Sequence, residues 1–426
     1  MRLLLGSLAG AAIVATACGS LAENGSLAGP SASAATSKNT LIVGGRDGVR
    51  VIDSGGKQIA DLGRVIGTAD WRYAFAVAID NSGNTTLRTV DPGSAATVRG
   101  LPLAGRWEAV GGYDGGPTGL SHDGRWLALT AADVPGRFAI VDTTGGVQPR
   151  VVNVGPSELS TSRFAFDAIS DNGESLYLIE HLVGTQYRVR VLDVRSGLLL
   201  PGAIIDVKQL ASTADANGVM SGTYTSSAAG PNGQWFFSVY LHPAMGPYVH
   251  ALNTTSRIAE CILDLPTFGK AGQVEMAKQP YWAVVLGKQL TGSRVYAVNG
   301  ALGEAAVIDP EAVKVTRTST FKVPRPTQAT TGFVPRPAAA VSPDGYRLYA
   351  LGDKGIFVLD AMDLSLRATF EPSSSFRSLA VAPDNATLYA LTSDGATIAA
   401  LDARTGRPLT TLTLSATADY LAIPSR

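Results

Sequence analysis

The chain has little of what most enzyme chemistry is built from. Only two of its 426 residues are cysteine, four are histidine, and 16% are charged. Two cysteines, Cys18 and Cys261, exclude a disulfide framework and any multi-cysteine metal site. The 35 Lys and Arg are matched by 35 Asp and Glu, so no basic field exists to hold a nucleic-acid backbone, and that partner class is excluded. There is no phosphate-cradling glycine loop, no serine nucleophile elbow and no CxxCH haem-attachment motif, and no cofactor is expected. The Asp-Gly turns lack the alternating carboxylates of a calcium loop. Helix-period stretches are scarce, whereas glycine (47) and proline (23) are plentiful, which points to an all-β, turn-dense chain.

What is present is a repeat. An apolar run ending in Asp or Asn returns eight times: Asp53, Asp91, Asp142, Asp193, Asn253, Asp309, Asp360 and Asp402. The intervals run from 38 to 60 residues, near the roughly 40 to 50 of a four-stranded propeller blade. Ahead of each mark stands a turn phrase such as "SHDG", "SDNG", "GPNG" or "SPDG", then an apolar, aromatic strand such as "RWLALT", "SLYLIE" or "RLYALG". Near-continuous hydrophobicity suits a strand covered on both faces by neighbouring blades. At the marks, a carboxylate that accepts the amide hydrogens of the next turn is the expected role, a structural one.

The expected fold is therefore a β-propeller of eight four-stranded blades. Seven is the alternative, if the short second unit, with its opening strand in "GRVIGTA", merges with a neighbour. The first unit begins at its second strand, "TLIVGG", and the matching opening phrase, "ADYLAIP", stands at residues 418 to 424. The C-terminal strand is thus expected to complete the first blade and close the ring.

Residues 333 to 414, with "VSPDGYRLYALGDKGIFVLD" and "VAPDNATLYALTSDGATIAALD", resemble the YVTN-type β-propeller repeat of bacterial cell-surface proteins; residues 119 to 321 carry the likeness more weakly. The resemblance implies a seven- or eight-bladed propeller outside the cytoplasm. That family holds surface-layer proteins, lactonase-like enzymes and cofactor-bearing oxidoreductase domains, so it implies no single activity.

At the N-terminus, Arg2 and the apolar stretch Leu3 to Val14 read as an export signal too short to span a bilayer as a mature helix. The following "VATACGS" admits two cuts. Ala15-Thr16-Ala17 fits ordinary signal peptidase, whereas "TAC" resembles the lipobox of bacterial lipoproteins, with Ala15 where Leu or Val is usual. The second is preferred and makes Cys18 a lipid anchor; the first gives a secreted protein. The expected organisation is a signal peptide at 1–17, an anchor cysteine with a flexible tether at 18–38, and one propeller at 39–426. Cys261 is then expected to be a small buried hydrophobe.

Ligands of such propellers are usually met on the rim formed by the loops from second to third strand and those between blades. The candidates there are Arg46, Arg106, Trp107, Tyr113, Asp114, Arg163, Glu180, His181, His242, Tyr248, Arg325, Arg336 and Lys354. "LAGRWEAVGGYDGGPTG", Val207 to Gly222 and "VPRPTQATTGFVPRP" read as the long inter-blade loops. Of the histidines, His122 reads as a turn residue and His250 as a satisfied sheet histidine. His181 and His242, with Glu180, are the weak candidates for a metal site. The preferred reading is a lipid-anchored, non-catalytic binding or scaffold module meeting a protein, peptide or glycan at the cell envelope. The alternatives are a lactonase-like, metal-dependent hydrolase using those three residues, and an extracytoplasmic oxidoreductase-associated subunit.

Overall fold

A computed structural model describes residues 39–45, 47–110, 118–154, 164–206, 218–262, 264–270, 276–324 and 336–424. Eight separate antiparallel sheets follow one another as blades, each a meander of four strands, with a short fifth strand in blade 4. Blades 2 to 8 open with innermost strands Val65–Gly67, Trp107–Ala109, Phe164–Ile169, Thr223–Ala229, Ala283–Gln289, Ala339–Val341 and Phe376–Val381. Blade 1 takes its innermost strand from the other end of the chain. Tyr420–Ala422 pairs with Leu41–Gly45, with Val43 opposite Leu421. The count is eight, because "GRVIGTA" does supply blade 2 with its own first strand.

Eight apolar clusters hold the described residues together, one at each junction between neighbouring blades. The second strands explain this. Along Arg347–Leu351, Leu348 and Ala350 pack toward blade 6, while Tyr349 and Leu351 pack toward blade 8. Period-two alternation thus feeds two cores at once, which is why these strands read as unbroken apolar runs. Cys261 belongs to the junction of blades 4 and 5 as a buried side chain.

The marker residues sit at the turn from third to fourth strand. Asp53 Oδ1 accepts the amides of Gly55 and Lys57, each at 2.9 Å. Corresponding amide bonds reach Asp91, Asp142, Asp193, Asn253, Asp309, Asp360 and Asp402. The Ser196 amide and hydroxyl at Asp193, and the Ala312 amide at Asp309, hold both carboxylates below their usual pKa.

A tyrosine of the second strand ties each of several blades to the next. Tyr177, Tyr296 and Tyr349 donate their hydroxyls to the carbonyls of Thr254, Ala361 and Ala403, each the residue just after the next blade's marker. At the other turn, Asp123 N donates to Asp171 Oδ1, and Asp344 N to Asn385 Oδ1, so successive "SPDG"-type turns are also linked.

Blade 4 departs from this plan. Its outermost strand is split into Leu198–Leu199 and Met220–Ser221, which pair with opposite ends of Gln186–Asp193. Its innermost strand bulges at Asp167, as those of blades 5 and 8 do at Thr225 and Arg377.

Candidate functional site

Up-and-down strands place the "SPDG"-type and marker turns on one rim, and the second-to-third-strand turns on the other. Between the rims the innermost strands surround an axial channel. Its space falls into adjoining cavities of about 280 and 550 Å3, which share Gly67, Thr68, Thr118, Ser227, Val284 and Pro337. A third cavity, of about 370 Å3, enters the junction of blades 4 and 5 and shares Phe166, Asp167, Ser227 and Phe236 with the larger one.

This side cleft is aromatic. Tyr240 stacks on Tyr187, with centroids 4.8 Å apart, and on Tyr248 at 5.9 Å; Tyr224 and His250 meet its edge. The Tyr187 and Tyr248 hydroxyls are 2.9 Å apart, and Tyr248 also donates to the Ser221 carbonyl. These bonds fix the ring faces, because a buried phenol without a partner is costly. His250 is buried with Nε2 unpartnered, and burial drops its pKa to about 4. The expected satisfied sheet histidine is therefore a neutral ring in an aromatic wall.

Blade 4 contains two carboxyls with opposite surroundings, one fully buried and one half-buried. Glu180 is fully buried and ion-paired to Arg188 and, at 3.0 Å, to Arg190. Asp167, at the bulge, lines both the cleft and the channel, and among the described residues no hydrogen-bond donor or cation holds it. Burial alone drives its pKa to about 7. Its charge also helps burial raise the Tyr240 phenol far above the ordinary range. The bulge explains the placement: the extra residue shifts the alternation and turns an acidic side chain into the interior face.

Several rim candidates are corrected. Trp107 is buried inside blade 3, donating to the Ala104 carbonyl, because "RWEA" is that blade's innermost strand and not part of a loop. Glu180 and Tyr248 are likewise interior. Residues 220–221 of the expected Val207 to Gly222 loop form a strand. Arg106 and Lys354 are exposed, and Arg336 lines the channel. His181 stands at the cleft mouth, exposed, with its pKa lowered by partial burial. His242 closes its own turn, with Nδ1 accepting the Ala244 and Met245 amides. His122 lies 3.7 Å from Asp171 on the opposite rim. Cys18, Arg46, Tyr113, Asp114, Arg163 and Arg325 lie outside the described residues.

The structure does not bring Glu180, His181 and His242 together. Among the described residues no group of three His, Cys, Asp or Glu side chains is placed to hold a metal ion. Sequence reasoning missed Asp167, Phe166, Tyr187, Tyr224, Phe236 and Tyr240. The available signal was an acidic residue in the opening strand "FAFDAIS", where the equivalents read "PAAAVSP" and "SLAVAP".

No sequence-family model matches the chain. No curated protein sequence matches the chain. Solved structures are similar in fold. "Dihydro-heme d1 dehydrogenase NirN in complex with DHE" aligns at TM-score 0.54 and 15% identity, over 90% of this chain and 74% of that one. AztD from Citrobacter koseri aligns at TM-score 0.55 and 13% identity, over 91% and 97%. At such identities the likeness establishes the propeller and nothing finer.

Proposed function

We propose that the chain is an exported, lipid-anchored propeller of the YVTN type that works at the cell envelope by binding. Its ligand seat is the channel with its side cleft between blades 4 and 5. The observation that carries this reading is Asp167. Asp167 is a half-buried carboxyl facing a cavity walled largely by aromatic rings, and a group so placed is available to an incoming molecule that supplies the partner. The rest of the site suits binding better than turnover, since blade 4's fully buried carboxyl, Glu180, is clamped by two arginines. The hydrolase alternative loses Glu180 as a ligand for the same reason. The resemblance of "TAC" to a lipobox and the length of the tether support a body held off the membrane, where a protein, peptide or glycan can present a group to the channel.

The test is thermal unfolding of the full chain against a library of amines, sugars and short peptides, repeated with Ser227→Trp, which fills the point where all three cavities meet. Stabilising compounds that lose their effect in the folded variant support the seat. Compounds that act equally on both proteins contradict it.

A further inference from the structure

We infer that the cleft between blades 4 and 5 is a site for a small organic cation, its ammonium group against Asp167 and its apolar part against Phe166, Tyr224, Phe236 and Tyr240. This rests on the cleft being the ligand seat and names the chemistry of the occupant. The only acidic side chain lining the cleft and the adjoining channel cavity is Asp167, and neither is lined by a Lys or Arg among the described residues. An anion would find no counter-charge there. A neutral ligand would leave the carboxyl uncompensated. A cation satisfies it and also gains from the negative faces of the surrounding rings. At about 370 Å3 the cleft has the size of a small-molecule pocket.

The titratable groups around Asp167 are few. Tyr177 and His181 come from the second strand of blade 4, Tyr187 from its third, and Tyr224 and Tyr240 from blade 5. His122 lines the far end of the shared channel cavity, already beside Asp171, and Arg336 lines the smaller cavity beyond it. The phenols stay neutral, so binding should follow the ionisation of Asp167. Affinity for a cation should rise with pH through about 7.

The experiment is calorimetric titration of the full chain at pH 8 with choline and phenethylammonium, each beside its neutral isostere, 3,3-dimethyl-1-butanol or 2-phenylethanol. The expected result is a preference for the cation of at least about ten-fold. That preference should be lost at pH 5.5 and in Asp167→Asn, while Phe236→Leu, which keeps the carboxylate, should weaken the cations alone. The pH comparison uses the unaltered chain and stands even if a variant misfolds. Neutral isosteres binding as tightly as the cations would overturn the cation inference and leave the seat standing. Cation binding unchanged in Asp167→Asn would also overturn the inference. No binding by any of the four compounds would overturn both.

Discussion

Between blades 7 and 8, Tyr349 donates to the Ala403 carbonyl at 2.6 Å, and the junction is filled by buried side chains such as Leu388, Ala390 and Leu401. Between blades 4 and 5, Tyr177 makes the matching bond to the Thr254 carbonyl at 2.8 Å, yet the rest of the junction opens into a cleft. One local departure separates the two, the split outer strand of blade 4; a bulged innermost strand is common to both, at Asp167 and Thr225 here and at Arg377 in blade 8. A repeat that stabilises itself through identical junctions can loosen one of them while the others hold the ring. The regular junction specifies the fold, and the irregular one provides the site.

The comparison breaks most severely if the ring itself is opened. Ending the chain at residue 417 removes Tyr420–Ala422, the innermost strand of blade 1. The inner edge of Leu41–Gly45 is then left unpaired. Size-exclusion chromatography should find aggregates, and calorimetry no single cooperative transition. A monomer melting like the parent would show that closure is dispensable.

Next come the junctions. Leu388→Ala removes a fully buried side chain from the closed junction and should cost about 2–5 kcal/mol in denaturant unfolding. Ile179→Ala, at the wall of the cleft, enlarges space that already exists and should cost clearly less. Equal losses would mean that the two junctions are packed alike. Smaller still, Tyr349→Phe and Tyr177→Phe should each cost about 1 kcal/mol, because each strands one carbonyl at an otherwise intact contact. Here the junctions should agree, and a difference of several kcal/mol would refute the shared plan.

The smallest effect is the most specific to the cleft. Asp167 has a folded pKa raised from 3.8 to about 7, so between those values the native state holds a proton that the unfolded chain has released. Stability from this group is therefore full below about 3.8 and is lost as pH rises toward 7. His250 acts in the opposite sense, losing stability as pH falls from 6.5 toward 4. That contribution is common to the parent and Asp167→Asn, and cancels in their difference. The parent should lose melting temperature relative to Asp167→Asn from pH 4.5 to 7.5; a flat difference would mean that Asp167 has a partner.

Much of the architecture was legible because one physical job recurs at one position. The marker residues from Asp53 to Asp402 close the same turn, and the doubly covered second strands repeat their apolar runs. "RWEA" was misread as loop because a three-residue strand flanked by glycines carries no alternation to detect. The site was far less legible. A β-bulge leaves no mark in composition, so the acidic residue in "FAFDAIS" stands out from its equivalents without showing that Asp167 lines a cavity. Glu180 and Tyr248 stand near strand ends, where a sequence suggests exposure, yet Arg188, Arg190 and Tyr187 complete their surroundings from other strands. Burial of that kind is set by cross-strand and cross-blade partners, which order along the chain does not encode.

The most direct measurement is hydrogen–deuterium exchange of the full chain with and without saturating phenethylammonium. Slowed exchange is predicted in Phe164–Ile169, Thr223–Ala229 and Trp235–His242, the strands that wall the cleft, and none in Arg347–Leu351 or Thr387–Thr392. Protection concentrated in blades 7 and 8, or spread evenly around the ring, would contradict the division between a structural junction and a binding one.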